Sequence, residues 1–141
     1  MSYKTVLTNL YYLLIHSDGD VSEKEASVGL FMCQHEGISQ SEFDQELQSL
    51  ASAKRDLVFS NTVKGLKMLR RSQQVKSIAW LCLVANSDGF MDKEEWKFIY
   101  KLYCSELKLP LDEVLAAQKE LSRSRPHFST MVAPLHVRTV L

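Results

Sequence analysis

Residues 17–25 read SDGDVSEKE and residues 87–95 read SDGFMDKEE. The two stretches lie 70 positions apart, and Ser17/Ser87, Asp18/Asp88, Gly19/Gly89 and Glu25/Glu95 are identical. Their flanks agree in type. Leu10, Leu13 and Leu14 upstream correspond to Trp80, Leu83 and Val84, and Val28, Gly29, Met32 and Cys33 downstream correspond to Phe98, Ile99, Leu102 and Tyr103. Both downstream sets have the i, i+1, i+4, i+5 spacing of one helix face. Further on, Ser52-x-x-Arg55 matches Ser122-x-x-Arg125, and Phe59-Ser60 matches Phe128-Ser129 after one gap. Self-similarity at a fixed period decides how a whole chain is read. It predicts a tandem repeat within a single domain spanning 1–141, the first copy about 4–71 and the second about 73–141.

Each copy reads as helix, short acidic turn, helix, tight connection, helix. The periodicity predicts helices near 4–16, 22–36 and 40–53 in the first copy, and near 73–86, 92–107 and 111–123 in the second. A bridging helix is expected near 57–70, and its counterpart at 127–141 is interrupted by Pro134. Gly37 and Pro110 mark the turns before the third helices. The fold expected is therefore all-α: a pseudo-twofold bundle of about seven to eight helices. The helix at 73–86 is apolar nearly all round at its C-terminal end, which puts it at the bundle's centre.

Composition agrees. The chain has 141 residues, 45% of them hydrophobic, enough for one domain with its own core. Five Gly and three Pro are few for a turn-rich β fold. No leader-like N-terminus is seen, and the longest strongly apolar run, Ile78 to Ala85, is too short to span a bilayer. Cys33, Cys82 and Cys104 lack CxxC spacing and read as reduced, core-packed thiols, consistent with a cytoplasmic protein. Net charge is zero but unevenly spread. Residues 17–56 carry nine acids against three bases, and residues 57–87 carry five bases and no acid.

Much of the acidic turn is explained by helix capping. Ser22 and Asp92 suit N-cap positions with Glu25 and Glu95 at N3, a capping box. Val21 and Met91 suit the hydrophobic staple, and Gly19 and Gly89 suit a positive φ. Asp18 and Asp88 are left over. The pattern Asp-Gly-x-hydrophobic-Ser/Asp-x-x-Glu matches the second half of a calcium-binding EF-hand loop. The first-half ligand positions fall on Leu14 and His16, and on Val84 and Asn86. Leu and Val cannot bind a cation, so a complete EF-hand is excluded. Half a cation site remains in each copy, and the bundle's symmetry could unite the halves.

These two D-G-x-[VM]-[SD]-x-x-E turns, at helix junctions of an all-helical chain, resemble the tellurite-resistance TerB family, whose wider group includes a domain of some membrane-anchored J-domain co-chaperones. The similarity covers about residues 6–123. It implies a pseudo-symmetric bundle with an acidic cluster for divalent cations, a role in metal-oxyanion and other stress responses, and a place beside membrane-associated assemblies. Carried over by position, the metal ligands are Asp18, Glu25, Asp88 and Glu95, with Asp20 as an addition. Phe90 stands where the first copy has Asp20, so the site would be asymmetric. Oxygen ligands favour Ca²⁺, Mg²⁺ or Mn²⁺.

Other residues have blander readings. Cys33-x-His35 lacks a second metal-ligating pair. His16 and Asn86 suit the closing of a helix C-terminus. No catalytic motif (Gly-rich phosphate loop, GxSxG or HExxH) appears, so no catalytic residue and no enzyme are expected. Lys64, Lys67, Arg70, Arg71 and Lys76 lack aromatic interleaving, which favours a solvated face or an acidic protein partner over nucleic acid. Tyr3, Tyr11, Tyr12, Trp80, Trp96, Tyr100 and Tyr103 read as core or groove lining, with Trp96 as the aromatic placed to meet a partner. The leading expectation is a non-enzymatic module that binds a divalent cation and a protein partner. The alternative is a structural or adaptor domain whose acidic turns only cap helices.

Overall fold

Two helices in which most residues are buried organise the chain. In the computed structural model, which describes residues 1–17, 21–87, 89 and 92–124, α1 spans Tyr3–Ile15 and α5 spans Arg71–Ala85. The unbroken buried run Ser77–Ala85 makes the second half of α5 apolar on every side. Burial of that kind, worth about 1.5–3 kcal/mol for each large aliphatic side chain, is what fixes it at the centre. Around these two pack α2 (Glu23–Glu36), α3 (Gln40–Ala51), α4 (Arg55–Lys67), α6 (Lys93–Tyr100), a π-helical segment (Lys101–Glu106) and α7 (Leu111–Arg123). The expected all-α class is borne out: the described residues form seven α-helices and a π-helical segment, and no strand. The helix expected at 127–141, Pro134 and the partners Arg125, Phe128 and Ser129 lie outside the described residues.

Local chemistry sets the helix ends. The Ser2 hydroxyl accepts from the Thr5 amide at 3.2 Å to start α1. Two-way capping boxes open α2 (Ser22 with Glu25) and α3 (Ser39 with Glu42), their four bonds 3.0–3.1 Å long. Gly37 ends α2 in the left-handed conformation, at φ 72°. The Arg55 guanidinium donates to the carbonyls of Leu13 (3.1 Å) and His16 (3.2 Å), placing positive charge at the negative end of α1. Gln74 does the same for α4 without charge, donating to the Leu66 and Lys67 carbonyls at 3.1 and 3.3 Å.

Corresponding features in the two halves do not keep one spacing. The C-caps His16 and Asn86 and the N-caps Ser22 and Asp92 are 70 apart, as the sequence pattern has it. Beyond the second helix, the left-handed residues Gly37 and Lys108 and the buried Ile38 and Leu109 are 71 apart. The extra residue falls where α6 widens into the π segment, closed by Leu107 N to Leu102 O at 2.9 Å and Leu109 N to Tyr103 O at 2.7 Å. Pairing Ser52 with Ser122 at a constant spacing of 70 is thus corrected. Ser52 is the C-cap of α3, whereas Ser122 lies within α7 and Ser124 caps it.

Contacts between helices fix their directions. Val6 approaches Gly65, Asn9 bonds Thr62, and Leu13 meets Arg55, so α1 and α4 are antiparallel. Phe59 packs on Phe98 and Lys67 pairs with Glu106, so α4 and the α6–π helix run the same way. Tyr3 meets Glu36, and Tyr11 meets Gly29, making α2 antiparallel to α1. Lys76 and Trp80 meet Glu36 and Phe31 respectively, making α2 antiparallel to α5 as well. It follows that α1 and α5 run in the same sense. Their C-caps, and the N-caps of α2 and α6, face one end of the bundle.

Candidate functional site

That shared end is where both acidic turns leave the helices. Asp18, Asp20 and Asp88, three of the five expected cation ligands, lie outside the described residues, as do Gly19, Phe90 and Met91. The other two, Glu25 and Glu95, are both buried, at 4% and 3% exposure. Glu25 Oε1 accepts from the Ser22 amide at 3.0 Å, so one of its oxygens serves the capping box. Its backbone carbonyl accepts from the Tyr11 hydroxyl at 3.4 Å. Burial, and next the Glu25 charge, push the Tyr11 hydroxyl up to about 12. Among the described residues no three His, Cys, Asp or Glu side chains gather closely enough to hold an ion.

The second turn differs from the first in two respects among the described residues, its N-cap bond and the burial of the residue that enters it. Asp92 accepts from the Glu94 amide at 2.9 Å, capping N2 instead of the expected N3. Gly89 adopts a positive φ of 98°, as expected. The residues entering the turn are deeply set. Asn86 is 3% exposed, and its amide oxygen and nitrogen, with the Ser87 hydroxyl, have no hydrogen-bond partner among the described residues. His16, the matching residue of the first turn, is exposed and lies against the Tyr12 ring at 4.5 Å. A buried amide without partners costs about 1–3 kcal/mol, and of its two polar atoms the oxygen can accept from a donor or face a cation while the nitrogen can only donate.

Capping predicts an asymmetric response that Ser22→Ala and Asp92→Ala make visible. Ser22→Ala breaks one arm of a two-way box in a half-buried setting and should lower stability by about 1–1.5 kcal/mol. Asp92→Ala, which loses the bond to N2, should cost about half as much. Urea unfolding of the two variants measures this, and equal losses would contradict the geometry.

Several expectations away from the turns need correction. Val21 is 47% exposed, so it does not pack as a staple. Cys104 is exposed while Cys33 and Cys82 are buried, and burial pushes those two thiols up to about 11 and 12, which leaves them poor nucleophiles. Tyr100, 47% exposed, does not line the core, whereas Tyr11, Tyr103 and Trp80 do; Trp96, the aromatic expected to meet a partner, is 39% exposed. The basic stretch is largely consumed inside the molecule. Lys67 pairs with Glu106 (3.2 Å), Arg71 with Glu113 (2.6 Å) and Lys76 with Glu36 (3.0 Å).

One polar centre was invisible in the sequence. Glu36 Oε2 accepts from the Trp80 indole at 2.7 Å, the Lys76 ammonium at 3.0 Å and the Tyr3 hydroxyl at 3.2 Å, tying α1, α2 and α5 together. Burial foremost, then the Glu36 charge, pushes the Tyr3 hydroxyl well above its ordinary value. A signal existed in Lys76 and Trp80, four apart on one face of α5, but nothing local points from them to Glu36.

No helix among the described residues is long and apolar enough to cross a membrane. The chain matches no family model, no curated protein and no solved structure.

Proposed function

We propose that this chain is a TerB-like, non-enzymatic helical module whose two acidic turns jointly hold one divalent cation, Ca²⁺, Mg²⁺ or Mn²⁺, in an interaction role within a stress or metal-oxyanion response. The supporting observation is that both turns leave the same end of the bundle, as a joint site requires. Asp18 and Asp88 are the expected charged ligands, with Asp20 adding to the first turn. The side-chain oxygens of buried Asn86 and half-buried Ser87, which have no hydrogen-bond partner among the described residues, supply further polar atoms at the second turn. An oxygen-rich set of this kind suits hard cations. The resemblance itself rests on the turn residues and their helical setting.

A specific observation favours the adaptor reading. Glu25 already spends an oxygen on the Ser22 amide, which reduces what it can offer an ion. The two readings separate in thermal melts. Cation binding to the folded chain alone stabilises it by about 2.7 kcal/mol at a hundredfold excess over Kd. The melting temperature of the wild type should therefore rise with Ca²⁺ or Mn²⁺ and fall back with chelator. Asp18→Ala/Asp88→Ala should not respond. A wild type indifferent to every divalent cation leaves the capping role alone.

A further inference from the structure

The outward face of α6 and its π extension carries two adjacent stripes whose residues are exposed except for Tyr103. Lys93, Lys97 and Lys101 recur at four-residue intervals, and Trp96, Tyr100 and Tyr103 run beside them. The three aromatic rings touch one another, with centroids 5.5–6.1 Å apart. Tyr103 is buried and braces the group, while Trp96 and Tyr100 project at 39% and 47% exposure. All three lysines are exposed. Lys97 lies 3.6 Å from Glu94 in a pair more than half exposed and so weak. The Lys101 ammonium sits 4.6 Å over the Phe59 ring, still at the surface.

The helix of matching position in the first half is a natural control. Seventy residues earlier, α2 has Glu23, Ala26, Ser27, Leu30 and Phe31 where α6 has Lys93, Trp96, Lys97, Tyr100 and Lys101. None of these α2 residues is a lysine, and their one aromatic, Phe31, packs against Trp80, so an exposed aromatic stripe beside a lysine stripe is particular to α6.

We propose that this face docks on an anionic lipid bilayer, with Trp96 and Tyr100 at headgroup depth and Lys93, Lys97 and Lys101 against the lipid phosphates. Trp and Tyr join an apolar ring to a polar tip and settle at the boundary of water and hydrocarbon. Lysine stems lie along apolar surface while their ammonium groups reach the headgroups. The cations are all lysine and none is arginine. Protein interfaces are depleted in lysine, and planar recognition of nucleic-acid phosphate favours arginine, so a lipid surface fits better than either. Each lysine near such a surface attracts only modestly, which makes the docking reversible and salt-sensitive.

Flotation of the full chain with vesicles tests this, in chelator so that the outcome is independent of any cation site. Binding to phosphatidylcholine vesicles doped with phosphatidylserine is expected at low salt, with weak binding to phosphatidylcholine alone. Because Trp80 is fully buried, a blue shift of tryptophan emission on binding reports Trp96. Lys93→Glu/Lys97→Glu should reduce the bound fraction roughly tenfold or more. Trp96→Ala should abolish the shift and weaken binding severalfold. All these residues are exposed, and unchanged circular dichroism and melting confirm that the variants fold. No flotation on anionic vesicles at low salt, equal flotation on neutral ones, or indifference to the charge reversal overturns the proposal. So does binding of single-stranded RNA or an acidic peptide that depends on the same residues in a chain that does not float.

Discussion

Glu36→Ala is expected to destabilise the protein by about 3 kcal/mol, lowering the melting temperature by roughly 10 °C. The carboxylate is one shared acceptor for donors from two other helices, and its side chain is only 8% exposed. Deleting it strands the indole N–H of the fully buried Trp80, an orphaned donor worth about 1–3 kcal/mol. The Tyr3 hydroxyl loses a second bond. Lys76, at 37% exposure, can turn to water, and this holds the total below the cost of a fully enclosed ion pair. Glu36→Gln keeps an oxygen for Trp80 and Tyr3 while removing the charge facing Lys76. It should cost only about 1 kcal/mol. Chemical denaturation of both variants gives the comparison. Equal losses would mean that charge, and not hydrogen bonding to the indole and phenol, makes the centre important.

Gly29→Val should be comparably damaging, for a steric reason. A Cβ at this position would meet the Tyr11 ring at 2.7–2.8 Å, closer than packed carbons tolerate. The ring has little room to yield, because Tyr11 is 4% exposed and packs on Phe43 with centroids 5.4 Å apart. For Gly29→Ala, overpacking of about 1–3 kcal/mol is partly offset by about 1 kcal/mol of helix propensity, and the net loss is small. Valine adds two methyl groups to the same contact and a poorer propensity, so its loss reaches about 3 kcal/mol. Trimming the opposing ring supplies the check. In the Tyr11→Leu background, Gly29→Ala should cost less than in the wild type, since the clash partner is gone. An undiminished penalty there would show that the close approach of α1 and α2 is not its cause.

Both predictions concern residues whose importance no local pattern revealed. Glu36 looks like a solvent-facing charge at the end of α2, and only the crossing of α2 with α5 brings it to Trp80. Gly29, paired in the repeat with Ile99, gives no sign of the tyrosine above it. What was legible was local. The apolar run ending at Ala85, the serine caps and Gly37 place the helix ends within a few residues, because propensity and capping act within one turn. The π segment was not legible, since a one-residue expansion leaves the apolar face intact and alters only the spacing beyond it. The two exposed aromatics on α6, of which the sequence sets only Trp96 apart as partner-facing, show the converse. Their helical spacing matches that of core residues, and the choice between core and surface is made by neighbouring helices. Of the candidate site, the sequence anticipated the capping by Ser22 and Glu25 and the positive φ of Gly89. It could not anticipate that Asn86 would be buried without a partner among the described residues where His16 is exposed.

The direction of the helices bears most on function. Had α1 and α5 run oppositely, the two turns would sit at opposite ends and a shared ion would be impossible. Because they run together, the cation reading makes a stoichiometric claim. Calorimetric titration of Mn²⁺ into the metal-free chain tests it most directly. One ion per chain is predicted, with the heat lost in Asp18→Ala and in Asp88→Ala taken singly, as expected when both turns serve one site. Two independent ions, heat that survives either substitution, or no heat at all would contradict it.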